Sequence, residues 1–250
     1  TGAVSAVQNI IKCVRRCGLE VQDLILQPIA SSTSVLTADE KELGVALVDI
    51  GGGTTDIAVF VGGSIRHSAV LPIAGDQITN DIAMALRTPT ADAEEIKLRH
   101  GLAKQVLANP NDKIEVPGIG DRGPRSLSKQ ALAAVIEPRV EELFSMVQQT
   151  IRESGYEEAL SSGVVITGGS SLLPGMAELA EDIFLKPVRV GAPAYDGGLS
   201  DVVRTPRFAT AMGLVEEARQ IRAKGRKVAE QSGSFKDTLR RMKEWFVGNF

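Results

Sequence analysis

Apolar residues between positions 44 and 72 fall into three short runs, near 44 to 50, 55 to 61 and 64 to 72, each rich in Val, Ile and Ala and bounded by glycine or a polar turn. Runs of this length and composition predict β-strands, and Gly62–Gly63 between the last two predicts a two-residue hairpin turn. The expectation is a three-strand meander. Upstream, apolar positions recur at helical spacing from about Ser5 to Cys17 and stop at Gly18, which predicts a helix. "DLILQPI" then predicts a short strand ended by Pro28, and "SSTSVLTADEKE" a polar loop or helix end.

After the meander, Gly75 and Asp76 open a helical pattern with Ile78, Ile82 and Leu86 on one face. Residues 88 to 158 differ. Two helical patterns there flank the Gly- and Pro-rich "VPGIGDRGPR", predicting an inserted, mainly helical subdomain in which Pro138 implies a kink or a break. Strand, glycine turn and helix recur in "GVVITGGSSLLPGMAELAEDIF", and "PVRVGAP" supplies one more strand, so this part predicts a right-handed parallel βαβ unit. The fold class expected is α/β.

Composition adds less. With 250 residues and 43% hydrophobic content the chain can bury a core and form two or more units. No stretch approaches the roughly 20 apolar residues of a membrane span, and the first residues carry no signal core, so a cytoplasmic protein is expected. The first residue is not Met and a helix pattern begins almost at once, which suggests a start partway through a larger protein. Cys13 and Cys17, one helical turn apart with no metal-ligand spacing around them, are expected to be buried reduced thiols; His67 and His100 stand alone. Charge is uneven: from Arg219 onward nine basic residues face three acids, a net of +6 in a chain of −3, which leaves −9 for the remainder. The C-terminal segment therefore reads as a separate device.

The chemistry concentrates in "GVALVDIGGGTTDIAVF". Gly51, Gly52 and Gly53 at a hairpin tip would let main-chain amides approach and surround an anion such as a phosphate. Thr54 and Thr55 add hydroxyl donors. Asp49, at the strand end, is placed to bind Mg²⁺ through water or to orient an attacking water. A plain hairpin that needs positive φ is the bland alternative. The pattern is neither a Gly-Lys-Ser/Thr phosphate loop nor a G-x-G-x-x-G dinucleotide fingerprint, because a strand follows it. A second loop, Thr167 to Ser171, ends another buried strand and leads into a helix, where a bare backbone could pack against a base or donate to phosphate. Two glycine loops at strand ends would face one cleft.

These residues carry a resemblance. "LVDIGGGTTDIAVF" is similar to the second phosphate motif, and "VVITGGSSLLPGM" to the adenosine motif, of the actin, Hsp70 and sugar kinase superfamily; "LQPIASSTSVL" and "TPRFATAMGLV" resemble its two connecting segments. Within the superfamily the whole chain most resembles the FtsA family of bacterial cell-division actin homologues, through "RCGLEV", "DAEEIKLRHG", "EPRVEEL" and the basic amphipathic end. The resemblance implies an actin-like (RNase H-like) fold arranged as follows: 1–38, the remainder of the first subdomain (1A); 39–80 with 160–205, subdomain 2A; 81–159, subdomain 2B; 206–222, a helix returning to 1A; 223–233, a linker; and 234–250, an amphipathic membrane-targeting helix.

It also implies ATP and Mg²⁺ as ligands. Gly51, Gly52, Gly53, Thr54 and Thr55 would contact phosphates, Asp49 and Asp56 the Mg²⁺ shell, Gly168, Gly169 and Ser170 the adenosine, and Glu94 and Lys97 of "EEIK" the ribose and base. The superfamily's first phosphate hairpin, and the domain that FtsA inserts in its first half, are absent from these residues, so the chain supplies one part of the ATP cleft.

The terminus "SFKDTLRRMKEWFVGNF" places Phe235, Leu239, Met242, Phe246 and Phe250 within about 80° of a helical wheel, with Trp245 on the flank and Arg240, Arg241 and Lys243 beside or opposite. An aromatic face against a cationic one fits a helix lying on anionic inner-membrane lipid. The implied function is an ATP-binding adaptor that forms filaments with itself, tethers the acidic tail of FtsZ to the cytoplasmic face of the membrane at the septum and recruits later division proteins. Arg125, Lys129 and Arg139 are the candidates for docking that tail, and no nucleic acid is expected. Rival expectations are an Hsp70-like or sugar kinase ATPase and a nucleotide-independent membrane scaffold.

Overall fold

The computed structural model describes residues 4–118, 120 and 123–223. They divide into two units, 4–26 with 218–223, and Gln27–Glu217.

In the first unit α1 (Val4–Arg16) has one strongly apolar side yet buries none of its residues. Cys13 and Cys17 are both free and exposed, which corrects the expectation of buried thiols: the half-buried side of α1 is made by Val7, Ile11 and Val14, Cys13 lies off it and Cys17 follows the helix end. No strand forms at Asp23–Leu26.

The second unit begins with α2 (Gln27–Val35). Pro28 does not end a strand; it sits in this helix's first turn, where a missing N–H is harmless. Ser31, Ser32 and Ser34 are buried. Their polarity reads as a loop in sequence, but the hydroxyls bond locally: Ser32 donates to the Ile29 carbonyl at 2.8 Å and Ser34 to that of Ser31 at 3.1 Å. A Thr37/Glu40 capping box then starts α3 (Ala38–Leu43).

The meander follows: β1 (Val45–Ile50), β2 (Thr55–Val61) and β3 (Ser64–Leu71), with Gly62 and Gly63 at φ 61° and 71° in the predicted hairpin turn. β1 is buried on both faces, as a central strand must be; β3 alternates exposed and half-buried residues, as an edge strand does. α4 (Gly75–Leu86) and α5 (Thr90–His100) lead to a two-stranded hairpin, β4 (Lys113–Val116) and β5 (Arg125–Ser128), inside the segment expected to be mainly helical. Its four-residue strands are too short to carry a readable alternation.

α6 (Lys129–Glu153) is one unbroken 25-residue helix despite Pro138. Pro138 and Ala134, whose carbonyl loses its partner, are both exposed, so water can satisfy it. β6 (Val164–Thr167), α7 (Met176–Phe184) and β7 (Val188–Val190) form the predicted βαβ unit, and α8 (Ser200–Val203) and α9 (Ala209–Ala223) close the described chain.

The sheet order is β3-β2-β1-β6-β7, with the meander antiparallel and β6 parallel to both β1 and β7. One face carries the main core, where Val48, Ile50 and Ile57 meet Ile78 and Ile82 of α4, Phe144 of α6 and Phe184 of α7; the two phenylalanines pack edge to face at 5.4 Å. Val45, Leu47, Ala58 and Phe60 line the other face with Val35 of α2 and Ala209 of α9. This is the α/β class expected. The β1–β2 turn and the C-terminal end of β6 lie side by side, because Asp49 pairs in register with Asp56 on one side and Thr167 on the other.

Candidate functional site

Residues 51 to 54 join β1 to β2, and the turn is closed by Gly51 N–H donating to the Thr54 carbonyl at 2.9 Å. None of the three glycines takes a positive φ, which removes the plain-turn explanation for them. Packing bears on one: a Cβ on Gly51 would stand 3.1 Å from the main-chain Thr54 oxygen, whereas one on Gly52 would meet, at 3.2 Å, only an Asp76 carboxylate oxygen that can swing aside. A Cβ on Gly53 would meet only ordinary contact, at 3.8 Å. Among the described residues the amides of Gly52 and Gly53 donate to no protein acceptor, so these two are the tip's open donors; the Gly51 amide is spent inside the turn. Gly52, Gly53 and Thr54 are exposed. Thr55 does not join them. It is fully buried and its hydroxyl donates to the Ile73 carbonyl at 2.7 Å, so its role is in the fold.

The tip's carbonyls are held from outside. Gly75 N–H donates to Gly51 O at 3.2 Å and Asp76 N–H to Gly52 O at 2.7 Å, anchoring the start of α4 under the tip. Ser170 Oγ, in the second loop, donates to the same Gly51 oxygen at 2.7 Å. Lys97 of α5 donates from Nζ to Gly75 O at 3.0 Å and to Thr79 Oγ1 at 2.7 Å, and pairs with Glu94 at 2.7 Å. Burial would raise the Glu94 carboxyl, but hydrogen bonds from Lys97 and Thr79 outweigh it and hold the group below the usual range. The predicted residues Gly51, Ser170 and Lys97 thus converge on Gly75, where a Cβ would come 2.4 Å from Ser170 Oγ and 3.4 Å from Lys97 Nζ, with Glu94 joined to them through Lys97.

The second loop turns at Gly168, whose φ of +86° suits glycine and whose missing Cβ would strike Ile50 O at 2.4 Å and Asp49 Oδ1 at 2.5 Å. Gly169, which begins a short 3₁₀ turn to Leu172, is exposed.

Asp49 and Asp56 sit directly opposite each other across β1 and β2, hence on one face of the sheet, and are 4% and 7% exposed. Burial and the Asp49 charge push the Asp56 carboxyl up, against a hydrogen bond from Thr54. Neither carboxylate has a basic side chain paired with it among the described residues. Two facing buried carboxylates without a cation partner fit a divalent metal. No group of three or more His, Cys, Asp or Glu that could hold a metal occurs among the described residues, so the chain itself offers a metal at most this pair of carboxylates.

The docking candidates lie elsewhere. Arg139 of α6 clasps Asp81 of α4 through Nε at 2.5 Å and Nη2 at 3.1 Å and also pairs with Glu142. Arg125 donates to the Leu86 carbonyl, and Lys129 lies 3.8 Å from the Asp112 carboxylate. All three charges have internal partners. The predicted membrane residues, Phe235, Leu239, Arg240, Arg241, Met242, Lys243, Trp245, Phe246 and Phe250, lie outside the described residues, among which no helix is long and apolar enough to cross a membrane. A hollow lined by Gln148, Arg152, Glu157, Phe184 and Lys186 lies at the far end of β6 from the glycine loops.

Sequence reasoning missed Gly75, Thr79 and Ser31, which hold the site by tertiary contacts. Only the glycine directly before a helix pattern at Gly75 was a local signal.

A family model described as "Cell division protein FtsA" matches residues 46–213. The chain belongs to the FtsA family. Along its whole length it is 57% identical to the cell division protein FtsA of Pseudomonas aeruginosa and 47% identical to that of Neisseria meningitidis serogroup B, covering 61% and 62% of those proteins. Over 97% of its length it is 44% identical to FtsA of Escherichia coli K12. The chain thus spans about three-fifths of the length of these FtsA relatives.

Among solved structures, MreB5 of Spiroplasma citri bound to ADP superposes with a TM-score of 0.70 at 18% identity, over 91% of this chain and 69% of that one. A PilM–PilN type IV pilus biogenesis complex gives 0.62 at 20%, over 85% and 57%. These likenesses establish the actin-like fold of this FtsA-family chain.

Proposed function

We propose that this chain is the ATP-binding portion of an actin-like division adaptor that assembles with itself and ties FtsZ to the cytoplasmic face of the membrane. The observation that carries the reading is the tip at Gly52–Gly53, whose open amides stand beside the facing carboxylates Asp49 and Asp56 and the second loop. Amides of Gly52 and Gly53 would receive phosphate oxygens, Asp49 and Asp56 would hold Mg²⁺ through water, and Gly168, Gly169 and Ser170 would border the nucleoside. Bound Mg²⁺ would neutralise phosphate charge. Glu94 and Lys97 are bonded to one another and to Thr79, so their contribution is to fix α4 and α5 under the tip as much as to touch ribose.

Subdomain boundaries at 39–80 with 160–205 and at 81–159 are part of the same proposal, as are the 234–250 membrane helix, Arg125, Lys129 and Arg139 as an FtsZ-tail dock, and recruitment of later division proteins. FtsA membership and a double helical filament solved for the fold neighbour MamK support the filament part of the reading. Nucleotide acts here chiefly as a conformational ligand.

The test is a titration of MgATP into the full-length protein beside its Asp49→Ala variant. Saturable binding that Asp49→Ala weakens at least tenfold supports the reading; no binding by the wild type refutes it.

A further inference from the structure

Asp49 is held by hydroxyls from two helices that are separate from the glycine loops. Ser31 of α2, wholly buried, donates from Oγ to Asp49 Oδ2 at 2.7 Å. Thr210 of α9, half-buried, lies with Oγ1 2.9 Å from Ser31 Oγ and 3.3 Å from the same carboxylate oxygen. The other oxygen, Oδ1, lies against Gly168, where a Cβ would come within 2.5 Å of it.

The two helices that supply these hydroxyls are themselves interlocked. Ser34 Oγ donates to the Ala209 carbonyl at 2.7 Å, and Gly213 crosses so close to Ala30 that a Cβ would stand 1.8 Å from its carbonyl oxygen. A carboxylate that must meet a cation in one orientation gains from having one oxygen fixed, because a free carboxyl would lose its torsional freedom on binding. Hydrogen bonds to a charged group are also the stronger kind.

We infer that Ser31 and Thr210 are positioning residues: together they hold Asp49 Oδ2 so that Oδ1 is presented toward Mg²⁺ of bound MgATP, and they tie that orientation to the α2–α9 crossing. This rests on the proposed nucleotide site. Neither residue touches nucleotide, and their effect is confined to what Asp49 does.

The experiment compares affinity for MgATP with affinity for ATP in EDTA, in the full-length protein and in Ser31→Ala, Thr210→Val and Thr210→Ser, with thermal unfolding of each apo form. The expected result is a loss of about tenfold in MgATP affinity for Ser31→Ala, a smaller loss for Thr210→Val through its longer bond, retention in Thr210→Ser, and less than about a twofold change without Mg²⁺. A purely structural role would lower the apo midpoint and weaken both nucleotide forms by one common factor; that outcome, or unchanged affinity in both alanine and valine variants, overturns the inference. Wild-type protein that binds no MgATP would instead refute the site itself, and a Ser31→Ala protein that fails to fold leaves the Thr210 pair to decide.

Discussion

Ser170 Oγ and the carbonyl oxygen of Gly51 are hydrogen-bonded at 2.7 Å, although 119 residues separate them in sequence. This bond clasps the loop after β6 to the tip between β1 and β2, and it runs past Gly75, where only a bare Cα fits.

Substituting Gly75→Ala would place a methyl 2.4 Å from Ser170 Oγ and swing that hydroxyl away from Gly51. Loss of one such bond costs about 1 kcal/mol. We expect Gly75→Ala and Ser170→Ala each to lower unfolding free energy by about that amount, and the double variant to cost little more than either alone, because both remove the same clasp. Urea denaturation of the four proteins measures this; simple additivity would contradict it.

At Gly213 the expected outcome is harsher. Alanine is the better helix former by roughly 1 kcal/mol, yet its Cβ would lie 1.8 Å from the Ala30 oxygen and 2.3 Å from the Ala30 carbonyl carbon, main-chain atoms that cannot rotate aside. Separating α2 from α9 costs about 3 kcal/mol, so Gly213→Ala is expected to destabilise on balance. A lower urea midpoint checks this, and a raised one would contradict it.

Glu40 gives a pH dependence. Burial acts to raise its carboxyl, but Arg189, in two contacts at 2.7 and 2.8 Å, and the Thr37 backbone and hydroxyl hold it below its ordinary value. A carboxyl depressed in the folded state stabilises above its unfolded pKa, near 4.3, and that contribution is lost as pH falls through the folded value. The stability gap between wild type and Glu40→Gln should therefore be full at pH 7 and shrink on acidification below about pH 4. Chemical denaturation across that range reads it directly; a gap that widens in acid would be inconsistent with the ion pair.

For the proposed FtsZ dock, Arg139 is the informative position. It already clasps Asp81 and Glu142, so an acidic tail must share or displace those carboxylates. Charge reversal, Arg139→Glu, should weaken binding of the FtsZ tail peptide at least tenfold, read by fluorescence anisotropy on the full-length protein. Unchanged affinity would place the dock elsewhere.

Much of the strand framework was legible because β1, β2 and β6 are buried on both faces or bounded by glycine, so their apolar runs are continuous. The glycine turn between β1 and β2 was legible because three glycines interrupt those two runs. What escaped depends on partners remote in sequence. The serines of α2 read as a loop until their hydroxyls are seen to bond backward to carbonyls and across to Asp49; Thr55 reads as a ligand until its hydroxyl is found on Ile73; Pro138 reads as a helix breaker until it is seen to face water. The β4–β5 hairpin has too few residues for its alternation to register, and the helical spacing of Cys13 and Cys17 suggests a burial that the structure does not provide.

The most direct measurement is a structure of the full-length protein grown with Mg²⁺ and ATP. The account predicts phosphate oxygens within hydrogen-bonding distance of the Gly52 and Gly53 amides, and the metal's water shell against Asp49. Nucleotide bound elsewhere, or phosphates that leave these amides bare, would contradict it.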